Sequence, residues 1–384
     1  MFNDNCARIA NSSPPAELPG MKIPVLTILF IAAVTDGTLQ PLRADNARVE
    51  LRGKWVLDPS GKAVGPDSFR RGLQTSSLLW RDSALLSAGD QRSQYPGHLF
   101  LIDPGTGRLL RPPMKITPDE KKPGENRHLD TYRSIPNSDF EGLAADPAVR
   151  DRLYGITEDK VPWISVLRLE KSRKETIVRL ESLTEIRFPE GLEPWDGNKN
   201  FRLEGIALAE KPGKAYLAYE RAGDDLPRIL EITLTGLAGK DIVTARDLGI
   251  SFDGVTRRPD KKSSLLNIND IQFLRRENRS WLVALARDQE RVLLIDLDKA
   301  RVIRWVDLDL RDPGGGRIYW VSPEGLALDE EAGRLWIIND PDSVSGNYRR
   351  RGVKKADGMY ALYAPLLFEM KLAELFPSAA GRKP

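Results

Sequence analysis

Cysteine is nearly absent: Cys6 is the single one in 384 residues, and it lies upstream of everything patterned as folded chain. A disulfide framework and a thiolate metal centre are therefore excluded. Histidine is almost as scarce, with only His98 and His128, so a histidine-rich zinc site is excluded and a histidine-dependent triad has little to draw on. Neither a Gly-x-Ser-x-Gly elbow nor a P-loop occurs, and Ser87-Ala88-Gly89 and Ser345-Gly346 are ordinary turn material. An excess of either charge is missing too: Lys+Arg 58 against Asp+Glu 55 leaves +3, so the chain carries no nucleic-acid footprint. The apolar run Val25–Val34 falls short of the roughly 20 residues of a membrane span, so no stable span is expected.

That run does read as an export signal. Met21-Lys22 precedes it, and Leu42-Arg43-Ala44 offers a small residue at a cleavage point before Asp45. Met21 is then the expected true start, 1–44 the signal region, and the mature chain periplasmic or secreted. The other readings of the run are a buried N-terminal strand or an uncleaved anchor. Residues 45–376 are expected to form one domain and 377–384 a flexible tail.

What is present in quantity is a repeat. Phe140-Glu141-Gly142-Leu143-Ala144, Leu203-Glu204-Gly205-Ile206-Ala207, Asn269-Asp270-Ile271-Gln272-Phe273 and Pro323-Glu324-Gly325-Leu326-Ala327 match one another. Each has an acid, three follow it with glycine, and all continue as a short apolar strand. A weaker copy, Ser76-Ser77-Leu78-Leu79-Trp80, has serine for the acid. After each copy comes a second strand with a polar exit: Ala84–Ala88 into Asp90, Arg152–Ile156 into Glu158-Asp159, Ala215–Tyr219 into Glu220-Arg221, Ser280–Ala286 into Arg287-Asp288, and Arg334–Ile338 into Asn339-Asp340. Third strands follow at His98–Ile102, Ile164–Leu169, Arg228–Leu234, Arg291–Leu297 and Leu366–Leu372. A three- or four-stranded sheet repeated at this length predicts an all-β propeller. Five starts predict five blades, while the long joins at 110–138 and 240–266 leave room for a sixth. Arg48–Leu57, a free strand at the far end of the domain, is expected to complete the last blade and close the ring.

In such a ring the repeat starts and the second-strand exits converge on one rim, because the chain reverses at every strand. Glu141, Glu204, Asp270 and Glu324 then gather there, with Asp90, Glu158, Asp159, Glu220, Asp288 and Asp340 around them. Crowded carboxylates repel unless protons or a cation intervene. Oxygen ligands without His or Cys favour Ca²⁺ or Mg²⁺, and an extracytoplasmic setting supplies Ca²⁺. Alternatively, each acid caps a strand and each glycine makes a turn.

The recurring Glu-Gly-(Leu/Ile)-Ala starts, across about 70–375 and behind an export signal, resemble the phytase-like and SdiA-regulated β-propeller families. That resemblance implies a calcium-binding propeller, loosely esterase- or phosphoesterase-like, with Glu141, Glu204, Asp270 and Glu324 as metal or channel residues. Ser76 departs from the acidic pattern, so one side of the ring is expected to be open.

Basic and aromatic residues fall on the same rim. Arg221 and Arg287 leave second strands directly, Arg349 and Arg350 lie in the long join after Asn339-Asp340, and Arg258 lies in a join leading to a repeat start. Arg221, Arg287, Asn339, Arg349 and Arg350 are candidate contacts for an anionic ligand, although Arg221 and Arg287 could instead balance Glu220 and Asp288. Glu158, Asp159 and Asp340 are candidate bases. Two functions compete: a metal-dependent esterase or phosphoesterase acting on a small anionic molecule, and a non-catalytic propeller that binds a ligand or a protein partner around structural calcium. A monomer is expected.

Overall fold

The computed structural model describes residues 47–64, 72–90, 93–119, 139–158, 161–171, 176–192, 203–210, 213–220, 226–237, 240–256, 258, 266–318, 321–341 and 363–376. The chain parts into two compact units, Met1–Pro41 and Leu42–Pro384. The first unit, the expected cleavage point, the tail at 377–384, and Asp159, Arg221, Arg349 and Arg350 lie outside the described residues.

Two short strands come first in the chain, β1 (Ala47–Arg52) and β2 (Lys54–Trp55). Blade 1 follows as β3 (Leu79–Arg81), β4 (Ala84–Ala88), β5 (His98–Ile102) and β6 (Met114–Pro118). Blade 2 is β7 (Phe140–Ala145), β8 (Arg152–Thr157), β9 (Trp163–Lys171) and β10 (Thr176–Arg187). Blade 3 is β11 (Leu203–Leu208), β12 (Lys214–Tyr219) and β13 (Arg228–Thr233), then β14 (Ile242–Thr244) and β15 (Arg246–Asp247), of which β15 is its outer strand. Blade 4 is β16 (Asp270–Arg276), β17 (Arg279–Ala286), β18 (Arg291–Asp296) and β19 (Arg301–Arg311). Blade 5 is β20 (Pro323–Asp329), β21 (Arg334–Asn339) and β22 (Leu366–Lys371), with β2 as its fourth strand.

The chain is a five-bladed β-propeller. Its inner strands touch in a closed circuit, β3 to β7, β11, β16, β20 and back to β3. The joins with room for a sixth blade instead supply outer strands, β6 in one and β14 and β15 in the other. Burial follows position in the ring. The middle strand β18 is buried along its whole length, as a strand with packed neighbours on both faces must be. The outermost β1 alternates, and Leu51 is its buried residue.

Glycine after the repeat's acid has a packing cause. A Cβ on Gly142 would meet the Ile206 amide nitrogen of blade 3 at 2.9 Å, one on Gly205 would meet Asp270 Cα of blade 4 at 2.7 Å, and one on Gly325 would meet the Ser77 carbonyl carbon of blade 1 at 2.6 Å. Inner strands around a narrow axis approach so closely that no side chain fits between them.

The N-terminal strand closes the last blade, but only in part. Lys54 and Trp55 pair antiparallel with Leu367 and Leu366 of β22. Ahead of them, Ala47–Arg52 runs parallel to Val306–Arg311 and extends blade 4 instead. Gly53 makes the step between blades, where a Cβ would meet Leu366 Cδ2 at 2.9 Å and Phe368 Cε1 at 3.0 Å. Leu57 then bridges in parallel to Arg108 of blade 1. Similar parallel pairings link β6 to β10, β10 to β14, and Ser251 to Arg301. Outer edges that would otherwise present unpaired backbone are thus partly covered by neighbouring blades. At the seam between blades 5 and 1, Trp336 and Trp80 stack with centroids 4.7 Å apart and planes 16° from parallel.

Candidate functional site

The register of the first two strands shows how the repeat builds the mouth. Phe140 pairs with Thr157 and Gly142 with Ile156, so Glu141 is left over as a bulge. Glu204 and Glu324 are bulged in the same way, between Leu203 and Gly205 and between Pro323 and Gly325. A bulge re-aims its extra side chain, and here all three acids are buried at the inner end of their blades. In blade 1 Thr75 bridges to Gly89, which puts Ser76 at the same place, and the Ser76 hydroxyl donates to the Phe140 carbonyl of blade 2.

Blade 4 is shifted by one residue. Asp270 pairs with Leu285, one residue before the exit Ala286-Arg287, just as Gly142 pairs with Ile156 one residue before Thr157-Glu158. Asp270 therefore stands at the glycine position, and Asn269 stands where blades 2, 3 and 5 carry the acid. The carboxylate of Asp270 accepts from the Ile271 amide at 2.8 Å and from the Leu326 amide of blade 5 at 2.7 Å, with a further bond from the Leu78 amide of blade 1. Gln272, two residues on, donates to the carbonyls of the same two partners, Leu326 at 2.8 Å and Leu78 at 3.4 Å. These two side chains thus extend a backbone-like ladder from blade 4 to blades 5 and 1. Burial pushes the Asp270 carboxyl well up, against the pull of its three amide bonds.

Two layers meet at the mouth. The bulge layer is Ser76, Glu141, Glu204, Asn269 and Glu324, and the exit layer is Asp90, Glu158, Glu220, Arg287 and Asp340. Charge is divided unevenly between their sides. On blade 2, Asp139, Glu141 and Glu158 are all buried and bring oxygens within 4.8 Å of one another. Burial, and then the charges of Asp139, Glu204, Glu158 and Asp90, push the Glu141 carboxyl well above its usual range.

The opposite side is neutralised from within. Arg287 donates to Glu220 at 2.6 Å on blade 3 and to Glu324 at 2.8 Å on blade 5, and its Nε lies 3.7 Å from Asp288. Asn269 donates to both Glu204 and Glu324 at 3.1 Å, and Asn267 to Glu220 at 2.9 Å. Burial works against the Arg287 charge, but Glu324, Glu220, Glu204 and Asp288 outweigh it and hold the guanidinium protonated. Burial raises Glu324 to about 7 despite Arg287, with Asp340 adding to the rise. Glu204 is raised well up by burial, then by Glu220 and Glu158.

Of the candidate ligand contacts, Arg287 is an internal counter-ion with a quarter of its side chain exposed. Asn339 is a wall residue: its amide donates to the Val321 carbonyl at 3.1 Å and accepts from the Leu366 amide at 2.6 Å. Arg258 is likewise built into the wall, donating to the carbonyls of Gln289, Glu290 and Leu308. The repeat placed these residues near the mouth, but buried carboxylates claim the donors of Arg287 and backbone carbonyls those of Asn339 and Arg258. Asp340 is half-buried at the exit of blade 5, its amide bonded to the Ser322 carbonyl at 3.0 Å. Asp139 and Asn269 are the site residues that motif matching passes over. Aligning repeats by their exits, Thr157-Glu158 with Ala286-Arg287, would have found Asn269. Asp139, two residues before a bulge acid, has no sequence signal of its own.

No family model and no curated protein matches the chain. Solved structures do. Glutaminyl cyclase of Myxococcus xanthus matches at 13% identity and TM-score 0.43, over 84% of this chain and 97% of that one. The Malassezia sympodialis allergen Mala s 1 matches at 11% identity and TM-score 0.44, over 81% of this chain and 97% of that one. A GH74 enzyme of Niastella koreensis matches at 11% and 0.35, over 72% and 35%. At these values the likeness is one of broad architecture and transfers no activity.

Proposed function

We propose that the chain is an exported, calcium-binding propeller akin to the phytase-like and SdiA-regulated families, acting at its channel mouth as an esterase or phosphoesterase on a small anionic molecule. The supporting observation is the buried trio Asp139, Glu141 and Glu158, whose oxygens lie within 4.8 Å of one another. Three carboxylates so close and so dry need protons or a hard cation. An all-oxygen donor set without His or Cys fits Ca²⁺. When bound, such an ion supplies positive charge to an ester or phosphoryl oxygen. Asp340 is the candidate base beside the mouth, with Asp159 a further one, and Arg221, Arg349 and Arg350 are the candidate contacts for the ligand's negative charge.

A second reading keeps the calcium and drops the reaction. It is favoured by burial: Asp139, Glu141 and Glu158 are 6%, 8% and 7% exposed, which suits an ion enclosed by protein that stiffens a binding surface. Turnover of a panel of carboxylic and phosphate esters, with calcium and with chelator, separates the two. Calcium-dependent turnover together with a melting temperature lowered by chelation is the expected result. A chelator effect on melting without turnover selects the binding protein. Absence of calorimetric calcium binding up to roughly the millimolar range of extracellular sites would sink both. Mass spectrometry of the mature protein is expected to find its N-terminus near Asp45.

A further inference from the structure

Blades 2 and 4 carry opposite chemistry at the same three positions. Two residues before the bulge, at the bulge and at the exit, blade 2 has Asp139, Glu141 and Glu158, and blade 4 has Asn267, Asn269 and Arg287. The three acids of one are two amides and a guanidinium in the other. The blade 4 group does not face solvent in isolation: its Arg287 reaches Glu220, Glu324 and Asp288, and its two amides bond Glu220, Glu204 and Glu324.

We propose that Arg287 is a built-in cation, standing where carboxylates of blades 3 and 5 would otherwise hold a second divalent ion, and so confining cation binding to the blade 2 side. The location on blade 2 rests on the calcium reading above; the role of Arg287 does not. A guanidinium suits the place because it stays charged at every working pH and splits its donors between two carboxylates. Its charge would be costly to bury were it not paired. Each of the other four blades has an acid at this exit position, Asp90, Glu158, Glu220 and Asp340. Without the guanidinium, Glu220, Glu324 and Glu204 would surround its vacated place as oxygen ligands. Asn269 Oδ1, buried and without a hydrogen-bond partner among the described residues, would be a further donor. That set matches the oxygen ligands calcium prefers.

The test counts ions. Parent protein, Arg287→Gln and Arg287→Lys are dialysed against calcium, analysed for bound metal, and titrated calorimetrically. One ion per chain is expected in the parent and in Arg287→Lys, and two in Arg287→Gln. Adding Glu220→Gln to Arg287→Gln is expected to remove the gained ion and return the count to one. An unchanged count in Arg287→Gln overturns the proposal. So does a gained ion that survives Glu220→Gln. No ion in the parent with one in Arg287→Gln would sink the blade 2 reading while upholding the role of Arg287. If Arg287→Gln is unstable in chelator, calcium is expected to restore it; insolubility in both buffers counts against the proposal, since a replacing ion should rebuild the ring.

Discussion

Two acids from repeats two blades apart, and one residue apart in register, have opposite roles. Glu141 is bulged into a cluster of like charge, and burial together with those neighbours drives its carboxyl upward. Asp270, at the glycine position of its blade, spends both oxygens on backbone amides of its own blade and blade 5. Their amide variants should therefore part company. Asp270→Asn puts a donor against a donor and should destabilise the fold by roughly 1–3 kcal/mol, the cost of a buried group left unsatisfied, with calcium affinity unchanged. Glu141→Gln should abolish the calcium response and leave the calcium-free protein as stable as the parent or more so, because a repelling charge is gone. Thermal melts and calorimetry on the two variants check this; loss of calcium binding in Asp270→Asn would return that residue to the ligand set. The sequence made the bulge acids legible at Glu141, Glu204 and Glu324 because glycine follows each. It misplaced the fourth because Asp270 mimics the motif while occupying the glycine's place, and register depends on the partner strand, which a single segment does not reveal.

Among the elements, the second and third strands of every blade could be read from apolar content and turn residues, since each is buried on both faces. The outer strands are only partly buried and range from two residues in β2 and β15 to twelve in β10, and β6, β14 and β15 left only long joins in the sequence. The segment Arg48–Leu57 is the instructive case. Its pattern marks a strand that completes the last blade, and Lys54–Trp55 does so. Ala47–Arg52 pair with blade 4 in parallel, and the step between blades falls at Gly53, where Leu366 and Phe368 leave no room for a side chain. One segment thus holds blades 4, 5 and 1 together. Deleting 47–57 should expose the β19 and β22 edges and yield insoluble protein. Where it remains soluble, the melting temperature should fall by several degrees or more, since 1 kcal/mol moves the midpoint of a domain of about 150–250 residues by roughly 2–4 °C and that of a longer one by less. A truncated protein that melts like the parent would count against this clamp.

For the whole molecule, the mouth couples folding to protons. Glu324 titrates near 7 in the fold against a usual 4.5, and Glu141, Glu204 and Asp270 are all shifted upward too. Raised carboxyl values mean that the folded state binds more protons than the unfolded one, so stability falls as pH rises. For Glu324 that contribution is fully present below about 4.5 and lost as pH climbs through about 7. Calcium-free protein should therefore melt at progressively lower temperature from pH 5 to pH 8, and saturating calcium should flatten the decline by taking over from protons on blade 2. A melting temperature that rises over this interval without calcium would contradict the buried, crowded state of these groups. The stacked indoles of Trp80 and Trp336 lie on the seam where the first and last blades meet. Two such chromophores in near-parallel contact couple their electronic transitions, so the closed ring carries its own optical signature, an exciton couplet in circular dichroism. That signal belongs to the joined seam and to neither blade alone, which lets the opening of the circle be watched separately from the melting of its sheets.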